Sequence, residues 1–196
     1  MTQRPLPVTL FADFVCPFCY VTEAALYRLR TTRHLNLHPR AFELVSWTAS
    51  GPAGPPDAEE LRAAEPFATE LGLQLRPPPP RPSTLKAHEA AVFAAQRGAG
   101  EALRMAIYQA YWIDGADIGR IDVLLNLAEE VGLDATELKI ALDIDLGREA
   151  VLADVALAKR LRISSVPTLF LGTGASATIL QGARSLAALD EALAVG

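Results

Sequence analysis

Val8-Thr9-Leu10-Phe11-Ala12 runs through Asp13-Phe14-Val15 directly into Cys16-Pro17-Phe18-Cys19, and that junction constrains the chain more than any other stretch. The first five residues are β-branched or apolar, the pattern of a strand buried on both faces. Pro17 suits the first turn of a helix, where a missing N–H costs nothing. Val21, Ala24, Ala25 and Leu29 then keep helical spacing to about Arg30. A second strand fits Leu37 to Leu44. The opening segment therefore reads strand–helix–strand, with two thiols where the first strand hands over to the helix.

That placement has a chemical reason. Attack on a disulfide needs a thiolate, and a free cysteine near neutral pH is mostly protonated. The unpaired N–H groups and the dipole at a helix N-terminus favour negative charge, so Cys16 is expected to be the nucleophile. Cys19 lies one turn further on the same face, placed to close a small disulfide and to resolve a mixed one. The reading requires Cys16 to be reachable and its partner to lie within bonding reach. Zinc sites use the same C-x-x-C spacing but need two more ligands. The other soft candidates are His34, His38 and His88, and the first two meet only if the turn between helix and strand folds back. No metal site is expected.

Further along, residues Ser50 to Pro56 form a Gly/Pro-rich break. Helical patterns follow at Asp57 to Leu71, Ser83 to Arg97, Glu101 to Tyr111, Arg120 to Val131 and Ala135 to Leu142, with Gly98, Gly115 and Gly132 where helices should end. Pro77-Pro78-Pro79-Pro80 with Pro82 makes a stiff connector, read as a spacer in preference to a proline-motif ligand. A helix from about Gly147 to Leu161 precedes a strand over Val166 to Leu171. Gly172-Thr173-Gly174 suits a hairpin turn into a strand over Ala177 to Gln181. Ser185 caps a last helix to about Ala194. The expected architecture is α/β, ordered β-α-β, helical block, α-β-β-α. Residues 1–50 and 144–196 would form one discontinuous sheet domain, and 51–143 a large all-helical insertion.

Among 196 residues about half are apolar and the formal charge is −5. A sizeable core can form, and a broad electrostatic footprint for nucleic acid is excluded. Arg28, Arg30 and Arg33 read as a solvated helix face. Residues 1–7 lack the apolar stretch of a signal peptide, and no run approaches the roughly 18 apolar residues of a membrane span. A cytoplasmic protein is expected, without membrane or nucleic-acid partners, as a monomer or homodimer. Structural disulfides are rare in that compartment, which makes a close cysteine pair a redox pair or a metal ligand.

Asp13-Phe14-Val15-Cys16-Pro17-Phe18-Cys19-Tyr20 after a strand, a helical block, and Ser165-Val166-Pro167-Thr168 before a hairpin resemble the DsbA-like thioredoxin superfamily. The nearest likeness is to its cytoplasmic FrnE-like branch, whose members carry Cys-Pro-Trp-Cys at this place. Softer echoes are Thr84 to Ala90, Ala110-Tyr111-Trp112 with Gly115 to Ile118, and Leu127 to Asp134. The resemblance covers nearly the whole chain and implies a thioredoxin-like fold with thiol–disulfide oxidoreductase activity. It implies no cofactor beyond the redox-active disulfide, with glutathione a candidate co-substrate, and a disulfide-containing protein or small thiol as partner. Pro167 would be the cis-proline beside Cys16, Val166 would pair through its backbone with an extended substrate, and Thr168, Pro17 and Phe18 would border that groove. Trp47, Tyr111 and Trp112 are candidate groove residues or core.

Two departures matter. The family's buried carboxylate, six residues before the first cysteine, is replaced by Leu10; Asp13 is a candidate substitute for it, or a solvated turn residue. Phe18 brings no charge to a thiolate, which points to a potential more moderate than that of DsbA. His88 is either a cleft residue that handles protons or a satisfied core histidine. The same superfamily holds kappa-class glutathione transferases and 2-hydroxychromene-2-carboxylate isomerases, which carry an Asp three positions before the key residue but usually a serine where Cys16 stands. They are the alternative enzyme reading. A non-enzymatic module that holds extended chains near Pro167 is a third.

Overall fold

The computed structural model describes residues 4–45, 47–48 and 53–195, with the side chains of 175 and 195 set aside; residues 50–52 of the Gly/Pro-rich break lie outside the described residues, as do residues 1–3. Strand β1 (Leu6–Ala12) is central. It pairs in parallel with β2 (Leu35–Ala41), from Leu6 opposite Leu35 to Ala12 opposite Ala41. On its other side β1 pairs antiparallel with β3 (Thr168–Leu171), which pairs antiparallel with β4 (Thr178–Gln181). The sheet order is β2-β1-β3-β4. A neighbour on both sides, with helices packed over the faces, explains why β1 is almost unbroken apolar sequence.

Parallel β1 and β2 need a crossover, and helix α1 (Pro17–Arg33) supplies it. The helix runs one turn past the expected end because His34 takes a left-handed conformation (φ 49°) and returns its N–H to the Arg30 carbonyl. Strand β2 then starts at once, at Leu35. It stops at Ala41, short of the expected Leu44, because the Leu44 N–H is taken by the Asp13 carboxylate at 2.8 Å instead of a ladder partner. Pro39 is tolerated in β2 because that strand is an edge.

Between β2 and the last α-β-β-α segment come α2 (Ala58–Glu70), α3 (Leu85–Gln96), α4 (Gly100–Trp112), α5 (Ile121–Glu130) and α6 (Ala135–Asp143). Helix α7 (Arg148–Arg160) packs on β2 and α3, and α8 (Leu186–Val195) packs on α1. Gly98 (φ 76°) and Gly132 (φ 80°) supply the left-handed turns that end α3 and α5. The polyproline connector is docked onto its own chain: Tyr111 donates its hydroxyl to the Pro79 carbonyl at 3.0 Å, and the Arg76 N–H reaches the Trp112 carbonyl at 2.8 Å. The hairpin connection holds a short 3-10 turn (Gly174–Ser176), and β4 starts one residue after the expected Ala177. Strand β3 begins at Thr168, two residues late, because Pro167 has no N–H for the ladder.

One apolar cluster runs from the sheet into the helical block, with Phe14, Leu26, Leu103, Ile107, Tyr108, Tyr111 and Trp112 fully buried. No helix among the described residues is long and apolar enough to cross a membrane.

Candidate active site

The end of β1 delivers a tight turn, Asp13-Phe14-Val15, closed by the Cys16 N–H on the Asp13 carbonyl at 3.2 Å. Cys16 is the N-cap of α1 with extended backbone (φ −109°, ψ 118°), and Pro17 occupies the first helical turn. The Cys16 carbonyl takes the N–H groups of Cys19 and Tyr20 at 3.1 and 3.2 Å. Its sulfur is aimed the same way and accepts the Cys19 N–H at 3.3 Å. A helix N-terminus thus does here what it does for an anion: it turns a backbone donor on the sulfur. Both cysteines are free thiols.

The second half of the site comes from the far end of the chain. The Cys16 thiol donates weakly to the Val166 carbonyl at 3.7 Å, across 150 positions of sequence. The Val166–Pro167 peptide bond is cis. Thr168 is turned inward, its hydroxyl on the Ser165 carbonyl at 2.7 Å, so its side chain holds the loop and does not face a groove. Pro17 is buried, while Phe18 and Val166 are half-buried and form an apolar rim.

One sequence expectation is corrected, and two alternatives that the sequence leaves open are decided. Cys16 is not an open nucleophile: it keeps only 2 % of its surface, under the Val166 segment and the packed first turn, and Cys19 keeps none. Tyr111 and Trp112 are core, not groove; the Trp112 indole N–H bonds the Phe14 carbonyl at 2.9 Å and so pins α4 to the turn before Cys16. Asp13 is not a solvated turn residue but fully buried. Trp47 is half-buried and donates its indole N–H to the Thr84 hydroxyl at 3.2 Å.

Burial pushes the Cys19 thiol well above its ordinary value, and the hydrogen bond and charge of Cys16 push the same way. Tyr108 stacks on Tyr20 with ring centroids 5.1 Å apart and lies against Phe14 at 4.9 Å. Its hydroxyl is raised by burial, then by Glu23 and Cys19. One turn beyond Cys19, Glu23 is buried in a bidentate ion pair with Arg104 of α4, the Nη2–Oε2 distance being 2.7 Å, and also accepts the Tyr27 hydroxyl at 2.9 Å. This pair went unseen in the sequence. Its one signal is an acidic residue at position 23, beside the apolar stripe of α1.

Residues 7–194 match the family model of the DSBA-like thioredoxin domain. The chain is 30 % identical to the uncharacterized protein YwbO of Bacillus subtilis, covering 95 % of this chain and 94 % of that one. Among solved structures it is similar to a probable DsbA oxidoreductase from Streptomyces coelicolor, with 26 % identity, TM-score 0.83, and 97 % and 89 % of the two chains covered. It shares its fold with the cytosolic disulfide reductase DsbM from Pseudomonas aeruginosa solved with glutathione, at 20 % identity, TM-score 0.69 and 90 % of each chain.

Proposed function

The chain belongs to the DSBA-like thioredoxin family, and from that premise we propose that it exchanges disulfides through Cys16 and Cys19. The observation that carries the reading is the placement of Cys16: N-cap of α1, a backbone donor 3.3 Å from its sulfur, and the Val166 carbonyl 3.7 Å away across the rim. In this reading Cys16 attacks a substrate disulfide and forms a mixed disulfide. Cys19 then attacks Cys16, releasing the substrate thiol and leaving the Cys16–Cys19 disulfide. The reverse sequence oxidises a dithiol. Val166 offers backbone to an extended substrate, Phe18 and Pro17 flank the entry, and Pro167 shapes it. The low exposure of Cys16 makes opening of the Val166 segment a part of each turnover.

The FrnE-like branch, cytoplasmic residence and glutathione as co-substrate belong to the same proposal. The cysteine economy of the sequence and the likeness to a cytosolic reductase solved with glutathione support them. The test is equilibration in glutathione buffers followed by alkylation and mass analysis. A two-electron curve for Cys16 and Cys19, and mixed disulfides trapped in Cys19→Ala but absent from Cys16→Ala, are expected. Thiols that stay inert toward glutathione disulfide in the native protein overturn the proposal. Glutathione-dependent transferase or isomerase activity that survives Cys16→Ser would replace it with the alternative reading.

A further inference from the structure

Strand β2 bonds to β1 through its even-numbered residues. The His34 carbonyl accepts the Leu6 N–H at 2.9 Å, and Phe42 donates to the Ala12 carbonyl at 3.0 Å. Alternate residues of a parallel strand turn both backbone groups to the same side, so Leu35, Leu37, Pro39 and Ala41 present theirs away from β1. No strand lies on that side, because β2 is an edge of the sheet. The chain covers part of this row itself. Asp154 of α7 accepts the Ala41 N–H at 3.1 Å, and Pro39 has no N–H to cover. The N–H groups of Leu35 and Leu37 have no partner among the described residues. Leu35 keeps only 7 % of its surface, and backbone donors at that depth are nearly always paired.

A cavity of about 520 Å³ follows the row. Leu35, Leu37 and Pro39 line it from β2, and Ala91, Val92 and Ala95 from α3. Asp154 lines it too, so it reaches the side of β2 on which the Ala41 N–H is taken. His88, buried and with Nε2 3.5 Å from Asp13 Oδ1, also borders it. The other charged groups on its wall are paired: Arg30 with Glu101, Asp154 with Arg40 and Arg104 with Glu23. Exposed Arg30 and Glu101 mark where it opens to solvent. From Leu35 to Ala41 the edge is about 20 Å long, the reach of about six extended residues.

We propose that the groove between β2 and α3 binds an extended polypeptide segment as a fifth strand of the sheet, with apolar side chains at alternate positions. Such a segment offers N–H and C=O groups to one side at strand spacing, which is what Leu35 and Leu37 lack. Its apolar side chains would enter the cavity beside Leu35 and Leu37, while the others would lie on the exposed face of Asn36 and His38. The β2 strand of a second copy carries the same groups, but it stands against its own α3. Two such edges meet only if that helix is displaced. Binding here does not depend on the oxidoreductase reading.

The probe is an acetylated and amidated Ser-Val-Thr-Val-Ser peptide, followed by amide NMR and hydrogen exchange of the full chain. It has no sulfur, so failure of the disulfide chemistry leaves the test intact. At about ten times its dissociation constant, exchange at Leu35 and Leu37 should slow by about 10-fold, while Asn36 and His38, already bonded to β1, change little. N-methylation along one edge of the peptide should weaken binding about 10-fold and along the other edge should not. Leu37→Pro removes an outward donor and no bond to β1, as an edge strand allows, and should weaken binding about 10-fold. Ala95→Arg, at an exposed position on the α3 wall, should weaken it by filling the groove, and keeps the test open should Leu37→Pro not fold. Unprotected Leu35 and Leu37 amides at millimolar peptide, or equal effects of methylation on both edges, overturn the proposal. Protection of these amides that rises with protein concentration and without peptide assigns the edge to a second copy and overturns it as well.

Discussion

Cys19 carries a cost that depends on pH. Burial first, then the hydrogen bond and charge of Cys16, hold its thiol well above the ordinary value. The unfolded chain gives up that proton near pH 8.5 while the folded chain keeps it. Above about pH 8.5 the folded state therefore holds the extra proton, and stability falls as pH rises, by up to about 1.4 kcal/mol per pH unit, until the folded thiol titrates. Tyr108, raised by burial and by Glu23, adds a like loss above about pH 10. Urea unfolding of the dithiol protein from about pH 7 to 10 should show the decline, and Cys19→Ala should flatten its lower part; constant stability in the parent would contradict the assignment. The thiols themselves were legible in the sequence because spacing and helix start carry their chemistry. Glu23 was not, because its partner Arg104 lies 81 positions away and a lone acid in a helix reads as solvated. Asp13 read equally well as a surface turn, since nothing local says that Leu44 and His88 will close over it.

Helix boundaries followed their capping residues. Asp134 accepts the N–H groups of Thr136 and Glu137 at 2.8 and 3.0 Å and so starts a helix of only nine residues, α6. Asp134→Ala should lower stability by about 1 kcal/mol in chemical denaturation with the disulfide chemistry intact. A loss near zero would mean that packing of Leu138 and Leu142 alone holds the helix. Ser185 likewise accepts the Ala188 N–H at 3.2 Å, as its position before α8 implied. Strand limits were less legible, for a reason specific to each. The end of β2 is decided by the Asp13 carboxylate and the start of β3 by a missing N–H, neither of which changes hydrophobic periodicity. The β3–β4 connection was legible to within one residue, because Gly172 and Gly174 mark left-handed backbone just past the end of β3.

At the scale of the molecule, the sheet and the helices inserted into it are tied by two buried links. Arg104 of α4 pairs with Glu23 of α1, and Trp112 bonds the turn before Cys16. Arg104→Met should cost about 3–5 kcal/mol, because Glu23 is left charged and desolvated, whereas Arg104→Met with Glu23→Leu should recover most of it. Both proteins should still unfold in one transition by circular dichroism and fluorescence, because one apolar cluster also joins the two parts; separate transitions would show that the Glu23–Arg104 link was what coupled them. The order β-α-β, helices, α-β-β-α was readable from periodicity and turn residues, but which helix faces the thiols was not, since that follows from contacts between distant segments. The closed rim over the sulfurs has one more consequence. Sulfinic and sulfonic acids need two or three successive oxidant encounters at a single sulfur, and 2 % exposure at Cys16 with none at Cys19 limits such encounters. Peroxide is thereby steered toward the reversible products of thiol oxidation, sulfenic acid and the disulfide.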